Sequence, residues 1–100
     1  MNDMKQIQEM DEILNQAETI VKVLEVALGD FEHFLPSLMT LFAYYESSDW
    51  LRHYEMDEAG KIPQSFSRGV LSQDAVYNLI VRYRDLTQTM KELGEVGVEK

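Results

Sequence analysis

The sequence contains no cysteine and only two prolines, Pro36 and Pro63. Without thiols, the chain can form neither disulfides nor thiolate metal sites. Long apolar runs are also missing, since none approaches the roughly 20 consecutive apolar residues that a membrane-spanning helix needs. The first residues, MNDMKQIQEM, lack the apolar core of a secretion signal. We therefore expect a cytoplasmic protein, a complete natural chain and a single helical domain over residues 1–100.

Basic residues are scarce, with 9 Lys and Arg against 18 Asp and Glu, and the formal net charge is −9. The excess lies in residues 1–60, which contain thirteen acidic and three basic residues. Because an acidic surface repels phosphate, we expect neither nucleic acid nor an anionic membrane as a partner. The same excess also keeps a small helical protein soluble, which is its more common role.

The sequence does have a long apolar stripe. Apolar residues recur every three or four positions at Ile7, Met10, Leu14, Ala17, Val21, Leu24, Leu28, Phe31, Leu35, Leu38, Phe42 and Tyr45. This period, near 3.5 to 3.6, predicts a helix with one face to be buried. Pro36 normally bends or ends a helix, yet the stripe stays in phase across it. We predict one long N-terminal helix kinked near Pro36, and the alternative is a chain that folds back within residues 29–36.

A short second helix is predicted over about 48–58. Ser47 and Ser48 are good N-cap residues, and Gly60 is a suitable C-terminal stop. The segment that follows is rich in Gly, Pro and Ser, which is typical of a loop. In that loop we expect Ile62 and Phe66 to point inward as anchors.

A third helix is predicted over about 72–94, with Ser72 as its N-cap and apolar residues again at three- and four-residue spacing. No segment has a strand pattern. The fold class is therefore all-α, an elongated helical bundle. The third helix offers too few apolar positions to cover the N-terminal stripe. A second copy of the chain could cover the remainder, so we expect a homodimer.

The aromatic segment between Tyr44 and Gly60 is the best candidate for a binding surface. Trp50 and Tyr54 are four residues apart and should touch on one helix face. These rings are either a structural plug at the end of the long helix or a recognition surface. The predicted surface comprises Tyr44, Tyr45, Trp50, Arg52, Tyr54, Glu55, Asp57, Glu58 and Arg68.

One weak metal pattern is present. His53 lies four residues from both Asp49 and Asp57, and such pairs bind a divalent ion only if another ligand joins them. A solvated polar face is the commoner arrangement. The carboxylate helices of magnesium-dependent all-α nucleotide pyrophosphohydrolases are similar to two groups here, Glu9, Asp11, Glu12 and Glu55, Asp57, Glu58. The match is poor because Glu9 and Glu12 lie on the solvent-facing side of the predicted helix. We therefore predict no cofactor.

The basic residues do not form a phosphate site. Arg82 and Arg84 flank Tyr83, which is a core position, so both should lie toward solvent. We expect these two residues and Arg68 to pair with the acidic N-terminal helix, either within one chain or between chains. The sequence also lacks a phosphate-binding loop, a nucleophile elbow and a zinc motif.

Residues 44–80 resemble the core of a small bacterial family known only as a domain of unknown function. The segments W-x-x-x-Y-E-x-D-E-A-G and R-G-V-L-S-x-D, within a YYxSxxWxxxYExDEAG…RGVLSxDAxYNL core, carry this resemblance. They begin at Trp50 and Arg68. The resemblance implies a bacterial, cytosolic protein that stands alone, and it implies no activity, cofactor or catalytic residue.

Three functional hypotheses follow. The leading one is a non-enzymatic, helical module for self-association or protein interaction, because no polar residue interrupts the stripe. The alternative is a metal-dependent hydrolase or small-ligand binder centred on residues 54–58. The third is an acidic antitoxin or anti-regulator that mimics nucleic acid, which fits the charge alone.

Overall fold

A computed structural model describes residues 2–97 of the chain. Helix α1 spans Asn2–Tyr45, α2 spans Ser48–Glu58 and α3 spans Ala75–Gly94, with a single 3₁₀ turn at Gly69–Leu71 between α2 and α3. The described residues contain no strand. The all-α fold class and the order of three helices are therefore confirmed.

Helix α1 is continuous through both of its helix-breaking residues, Gly29 and Pro36. The chain therefore does not fold back within residues 29–36, and the prediction of one long N-terminal helix is confirmed. An interior proline removes one backbone hydrogen bond. The residues on either side still keep the apolar stripe in phase, which favours continuing the helix over starting a new one.

The chain divides into two compact units, Met1–Leu38 and Met39–Lys100. In its described part the first unit consists of α1 alone. A lone helix has no partner within its own unit, so most of its large apolar side chains are exposed. They include Met4, Ile7, Met10, Ile13, Leu14, Ile20, Val21, Val23, Leu24, Val26, Leu28 and Phe34.

The second unit contains the last turns of α1, all of α2, the 3₁₀ turn and α3. Its buried residues are Leu71 in the 3₁₀ turn and Val76 in α3. Phe42 of α1 contacts Tyr83 of α3 edge to face, with ring centroids 5.5 Å apart. Apolar and aromatic side chains from all of these elements therefore build one small core in this unit.

The bounds of α2 follow from local chemistry. The Ser47 hydroxyl accepts a hydrogen bond from the backbone N–H of Trp50, as an N-cap residue does. Beyond the other end, Gly60 has a positive φ of 72°, which glycine adopts at little cost. Both predicted ends of this helix are confirmed.

The start of α3 differs from the prediction. The helix begins at Ala75, and Asp74 is its N-cap residue. Ser72 instead closes the preceding 3₁₀ turn, through its N–H to the carbonyl of Gly69. Its hydroxyl accepts a hydrogen bond from the N–H of Asp74. Ser72 therefore caps a turn before α3 rather than α3 itself.

The loop between α2 and the 3₁₀ turn also differs in one respect. Ile62 is half-buried, as expected of an anchor. Phe66 is 64% exposed, so the prediction that it points inward is wrong. Its backbone N–H is bonded to the carbonyl of Pro63 in a tight turn, which presents the ring to solvent.

Candidate functional site

Three aromatic rings pack against one another at the junction of α1 and α2. Tyr45 and Trp50 meet edge to face with centroids 5.0 Å apart, and Trp50 and Tyr54 stack at 5.3 Å. The indole Nε1 of Trp50 donates to the carbonyl of Val70 at 2.8 Å. The hydroxyl of Tyr45 donates to the carbonyl of Gln73 at 3.3 Å. Because the rings are half-buried and the polar atoms of Tyr45 and Trp50 are bonded, the cluster has the features of a structural corner.

A chain of polar contacts runs across the outer side of this corner. The hydroxyl of Tyr44 lies 2.7 Å from Nδ1 of His53, and the other ring nitrogen, Nε2, lies 3.3 Å from a guanidinium nitrogen of Arg52. Arg52 also forms an exposed ion pair of 2.8 Å with Asp49. A guanidinium can only donate, so this contact predicts that Nε2 of His53 accepts and that Nδ1 bears the proton in the neutral ring. Nδ1 then donates to the phenol oxygen of Tyr44.

Arg68 holds the loop that follows α2. Its Nε lies 3.4 Å from a carboxylate oxygen of Asp57, and its Nη1 donates to the carbonyls of Ile62 and Pro63 at 3.3 Å. Within the chain, the predicted pairing of Arg68 with the N-terminal helix is therefore wrong. The reason is local. Arg68 is only six positions from Ile62, so its guanidinium reaches the carbonyls of Ile62 and Pro63 and the carboxylate of Asp57 at the same time.

A groove of about 360 Å³ lies beside the Tyr44–His53 contact. Most of its surface is apolar, and its cationic side chains come from Lys61 and Arg68. Lys61 is exposed and has no ion pair with any other described residue. The lining residues are Tyr44, His53, Met56, Lys61, Ile62, Pro63, Phe66, Ser67, Arg68, Val70 and Leu71.

A second, more polar hollow of about 550 Å³ is lined by Tyr54, Asp57, Glu58, Arg68, Gly69, Leu71, Ser72, Gln73 and Asp74. The predicted binding residues are thus divided between two surfaces. Tyr44 lines the apolar groove, whereas Tyr54, Asp57 and Glu58 line the polar hollow. Arg68 lines both.

The remaining predicted site residues line neither hollow. Tyr45 and Trp50 belong to the aromatic corner. Arg52 and Glu55 are exposed on the surface of α2. The structure therefore brings the predicted residues into one region without giving all of them a common cavity.

The metal candidates make other contacts. Asp49 pairs with Arg52, Asp57 pairs with Arg68, and both ring nitrogens of His53 have partners. Within residues 2–97 no group of three or more His, Cys, Asp or Glu side chains lies close enough to hold a metal ion. We propose no metal chemistry for this cluster.

A further pattern lies in the first unit, and it was present in the sequence. Acidic residues recur every seven positions along α1, at Asp11, Glu18, Glu25 and Glu32. Residues at Ile13, Ile20, Ala27 and Phe34 recur in the same way and are apolar. On a continuous helix these two rows lie on opposite flanks of the apolar stripe. The signal that could have found them is the seven-residue repeat of charge.

Fold and surfaces together define an all-helical protein with a long, acidic helix that bears an exposed apolar stripe, an aromatic corner, an apolar groove and a polar hollow. No helix in the described part is both long and apolar enough to cross a bilayer.

The chain belongs to the family described as a domain of unknown function (DUF4298), whose model matches residues 7–93. This match confirms the resemblance to an uncharacterised domain family. No curated protein matches the chain, and no solved structure does so either.

Proposed function

We propose that this protein is a helical self-association module, in which two copies cover the apolar stripe of their first units. The observation that carries the proposal is an unbroken helix whose stripe is exposed from Ile7 to Leu28. A soluble monomer rarely exposes so large a contiguous apolar surface, and such surfaces mark interaction sites. The stripe could be covered either by a chain that folds back at residues 29–36 or by a second copy. Since the fold-back does not occur, the second copy remains.

The stripe follows a strict seven-residue repeat, which is typical of coiled coils. Written as abcdefg, the a positions are Ile7, Leu14, Val21, Leu28 and Leu35, and the d positions are Met10, Ala17, Leu24, Phe31 and Leu38. Gly29 and Pro36 both fall at b positions, on the outer side of the helix. The two residues least suited to a helix therefore leave the seam between copies undisturbed.

An estimate of free energy supports association. Complete burial of a large apolar side chain contributes about 1.5–3 kcal/mol, so burying its exposed half contributes roughly 1 kcal/mol. Six a and d residues per chain are 41–64% exposed, namely Ile7, Met10, Leu14, Val21, Leu24 and Leu28. Two chains then gain roughly 12 kcal/mol, and the flanking apolar residues add to this. Association costs about 4–15 kcal/mol, so a stable dimer is feasible.

The remaining polar surface is proposed as the place where a protein partner binds the assembled module. The rim of the aromatic corner offers the exposed side chains of Arg52, Glu55 and Glu58 around half-buried rings. Rings with polar tips beside charged groups are common in protein interfaces. The stripe itself contains no polar residue between Ile7 and Leu38, so the proposed role is assembly rather than catalysis.

A matched pair of substitutions tests the proposal. Leu24 at a d position and Val26 at an f position are 53% and 54% exposed, so aspartate meets a similar environment at each in a free helix. In a dimer only position 24 faces the second copy. We expect Leu24→Asp to abolish self-association and Val26→Asp to preserve it. The readout is whether the melting temperature, followed by circular dichroism, rises with protein concentration.

The melting temperature of the unaltered chain and of Val26→Asp should rise with concentration, and that of Leu24→Asp should not. A melting temperature independent of concentration in the unaltered chain would overturn the proposal. Equal behaviour of the two variants would show that the stripe is not the interface.

A second candidate function is binding of a small ligand with an apolar body and an anionic group. The apolar groove beside Tyr44 and His53 supports it, because Lys61 at this groove has an uncommitted ammonium group. Arg68 is already held by Asp57 and two carbonyls. Pockets of this size with few polar groups are typical of small-molecule sites.

Octanoate is a suitable probe, since it joins an apolar chain to one carboxylate. Titration followed by amide NMR should shift the signals of residues 61–71. Lys61→Gln should weaken binding several-fold, and Lys91→Gln, an exposed lysine remote in sequence, should not. Shifts confined to α1, or equal effects of the two substitutions, would contradict a site in this groove.

A further inference from the structure

The two flanks of the apolar stripe differ completely in charge. One flank, the e positions, bears four carboxylates at Asp11, Glu18, Glu25 and Glu32. The other flank, the g positions, bears the apolar residues Ile13, Ile20, Ala27 and Phe34. No basic residue occupies an e or g position between Ile7 and Leu35. A coiled coil is sensitive to this difference, because e and g residues border the seam and set the orientation of the helices.

From this asymmetry we infer that the second copy binds in parallel and in register, as a two-stranded coiled coil along residues 7–35. The inference rests on the proposed self-association and adds the orientation, the register and the number of copies. Its occupant is a second copy of this chain, and charge decides how that copy lies.

In an antiparallel pair, the e positions of one helix face the e positions of the other. All eight carboxylates of the two copies would then crowd along one side of the seam. Like charges placed opposite each other repel, and the one basic residue next to that row between Ile7 and Leu35 is Lys22, at a b position between Glu18 and Glu25. The antiparallel arrangement is therefore disfavoured along the whole seam.

In a parallel pair, each e position lies beside a g position of the other copy. A g position meets the e position of the next heptad, so Glu18, Glu25 and Glu32 border Ile13, Ile20 and Ala27 of the second chain, and Asp11 borders Gln6. The eight carboxylates divide into four on each side of the seam. Their charged ends can stay in water while their methylene stems lie along the apolar side chains.

The apolar g positions act in the opposite direction and favour the antiparallel pair, because they would face each other there. In the parallel pair the same side chains still contact the stems of the acidic residues. Part of their apolar contact is thus kept in both orientations, whereas direct contact between carboxylates occurs only in the antiparallel one. We therefore take the charge pattern, which acts along the whole seam, to set the orientation.

Spin labels at two positions test the orientation, and the lack of native cysteine makes single-cysteine variants simple to label. Gln8→Cys and Ser37→Cys place labels on the outer side of α1, 29 residues apart. In a parallel, in-register pair the helix axes lie about 8–10 Å apart. Each label then lies close to the same label on the second chain. The distance between the two labels, measured by pulsed electron resonance, is therefore short at both positions.

In an antiparallel pair of any register, at least one of the two distances exceeds about 43 Å at 1.5 Å per residue. Short distances at both positions, together with a mass of two chains, are the result we expect. A long distance at either position with the same mass overturns the orientation and leaves self-association intact. A mass of one chain with no coupling at either label overturns the proposed function as well. A mass of three or more chains overturns the two-stranded assembly.

Discussion

The indole Nε1 of Trp50 in α2 donates a hydrogen bond of 2.8 Å to the carbonyl oxygen of Val70 in the 3₁₀ turn. This bond joins two residues that are 20 positions apart in sequence, across the loop that lines the apolar groove. Trp50 is the only tryptophan in the chain, and its ring also stacks on Tyr54. Together with the ion pair between Arg68 and Asp57, this side chain therefore fixes the position of the 3₁₀ turn relative to α2.

Trp50→Phe should destabilise the chain by about 1–3 kcal/mol, because a half-buried carbonyl loses its donor. The measurement is urea unfolding followed by circular dichroism. Tyr77→Phe is a suitable control, since Tyr77 is largely exposed and makes no hydrogen bond shown for the described residues. Equal stability of Trp50→Phe and the unaltered chain would contradict a structural role for this bond.

Ser47 connects α1 to α2 through one hydroxyl. It donates to the carbonyl of Tyr44 at 2.6 Å and accepts from the N–H of Trp50 at 3.3 Å. Ser47→Ala should cost about 1 kcal/mol of unfolding free energy, the usual loss for an N-cap serine. Ser48→Ala is the control, because Ser48 is exposed and forms no side-chain bond among the described contacts. A loss at Ser48 as large as that at Ser47 would show that the cap is not the cause.

Two glycines should respond to alanine in opposite directions. Gly60 has a φ of 72°, so Gly60→Ala should destabilise the second unit by about 1–2 kcal/mol even though the added methyl meets no atom within 4 Å. Gly29 lies inside α1 and has open space around it, so Gly29→Ala should raise helix stability by about 0.5–1 kcal/mol. Thermal and urea unfolding of the two variants would check both signs. A stabilising Gly60→Ala would contradict the backbone conformation of this turn.

The tautomer of His53 is a prediction that needs no stability measurement. With Arg52 donating to Nε2, the neutral ring should bear its proton on Nδ1 and donate it to Tyr44. The ¹⁵N shifts of the ring report this directly. Arg52→Ala should move His53 toward the Nε2–H form, and the exposed His33 provides an internal reference. An Nε2–H ring in the unaltered chain would mean that Tyr44 donates instead.

Much of the fold could be predicted because its signals are periodic or local. The apolar repeat of α1 continues across Pro36, and a helix keeps its phase where a loop does not. Ser47 and Gly60 are local signals whose geometry depends on few neighbours, and both were predicted correctly. Trp50 and Tyr54, four residues apart on one helix, lie in contact as expected.

The errors arise where tertiary contacts override local preference. Ser72 has the residue type of an N-cap, yet the 3₁₀ turn at Gly69–Leu71 uses it to end a turn, which delays α3 to Ala75. The loop presents Phe66 to solvent, although its side chain is apolar. Arg68 contacts the carbonyl of Ile62 in its own loop and the carboxylate of Asp57, and sequence spacing alone does not indicate these contacts.

The candidate site was located only in part. The sequence placed Tyr44, Tyr54 and Asp57 in one segment, but the structure turns them toward different hollows. The sequence does not mark Lys61 as a site residue, because a lone lysine after a glycine has no distinctive pattern. Lys61 becomes a candidate binding residue only because the fold places it at the apolar groove.

The central claim is that the stripe of α1 is hidden by a second copy of the chain. Sedimentation equilibrium of the full chain at micromolar concentration tests it most directly. The account predicts twice the chain mass of 11.6 kDa, falling toward the single-chain mass on dilution. A compact monomer of 11.6 kDa at all concentrations would contradict it.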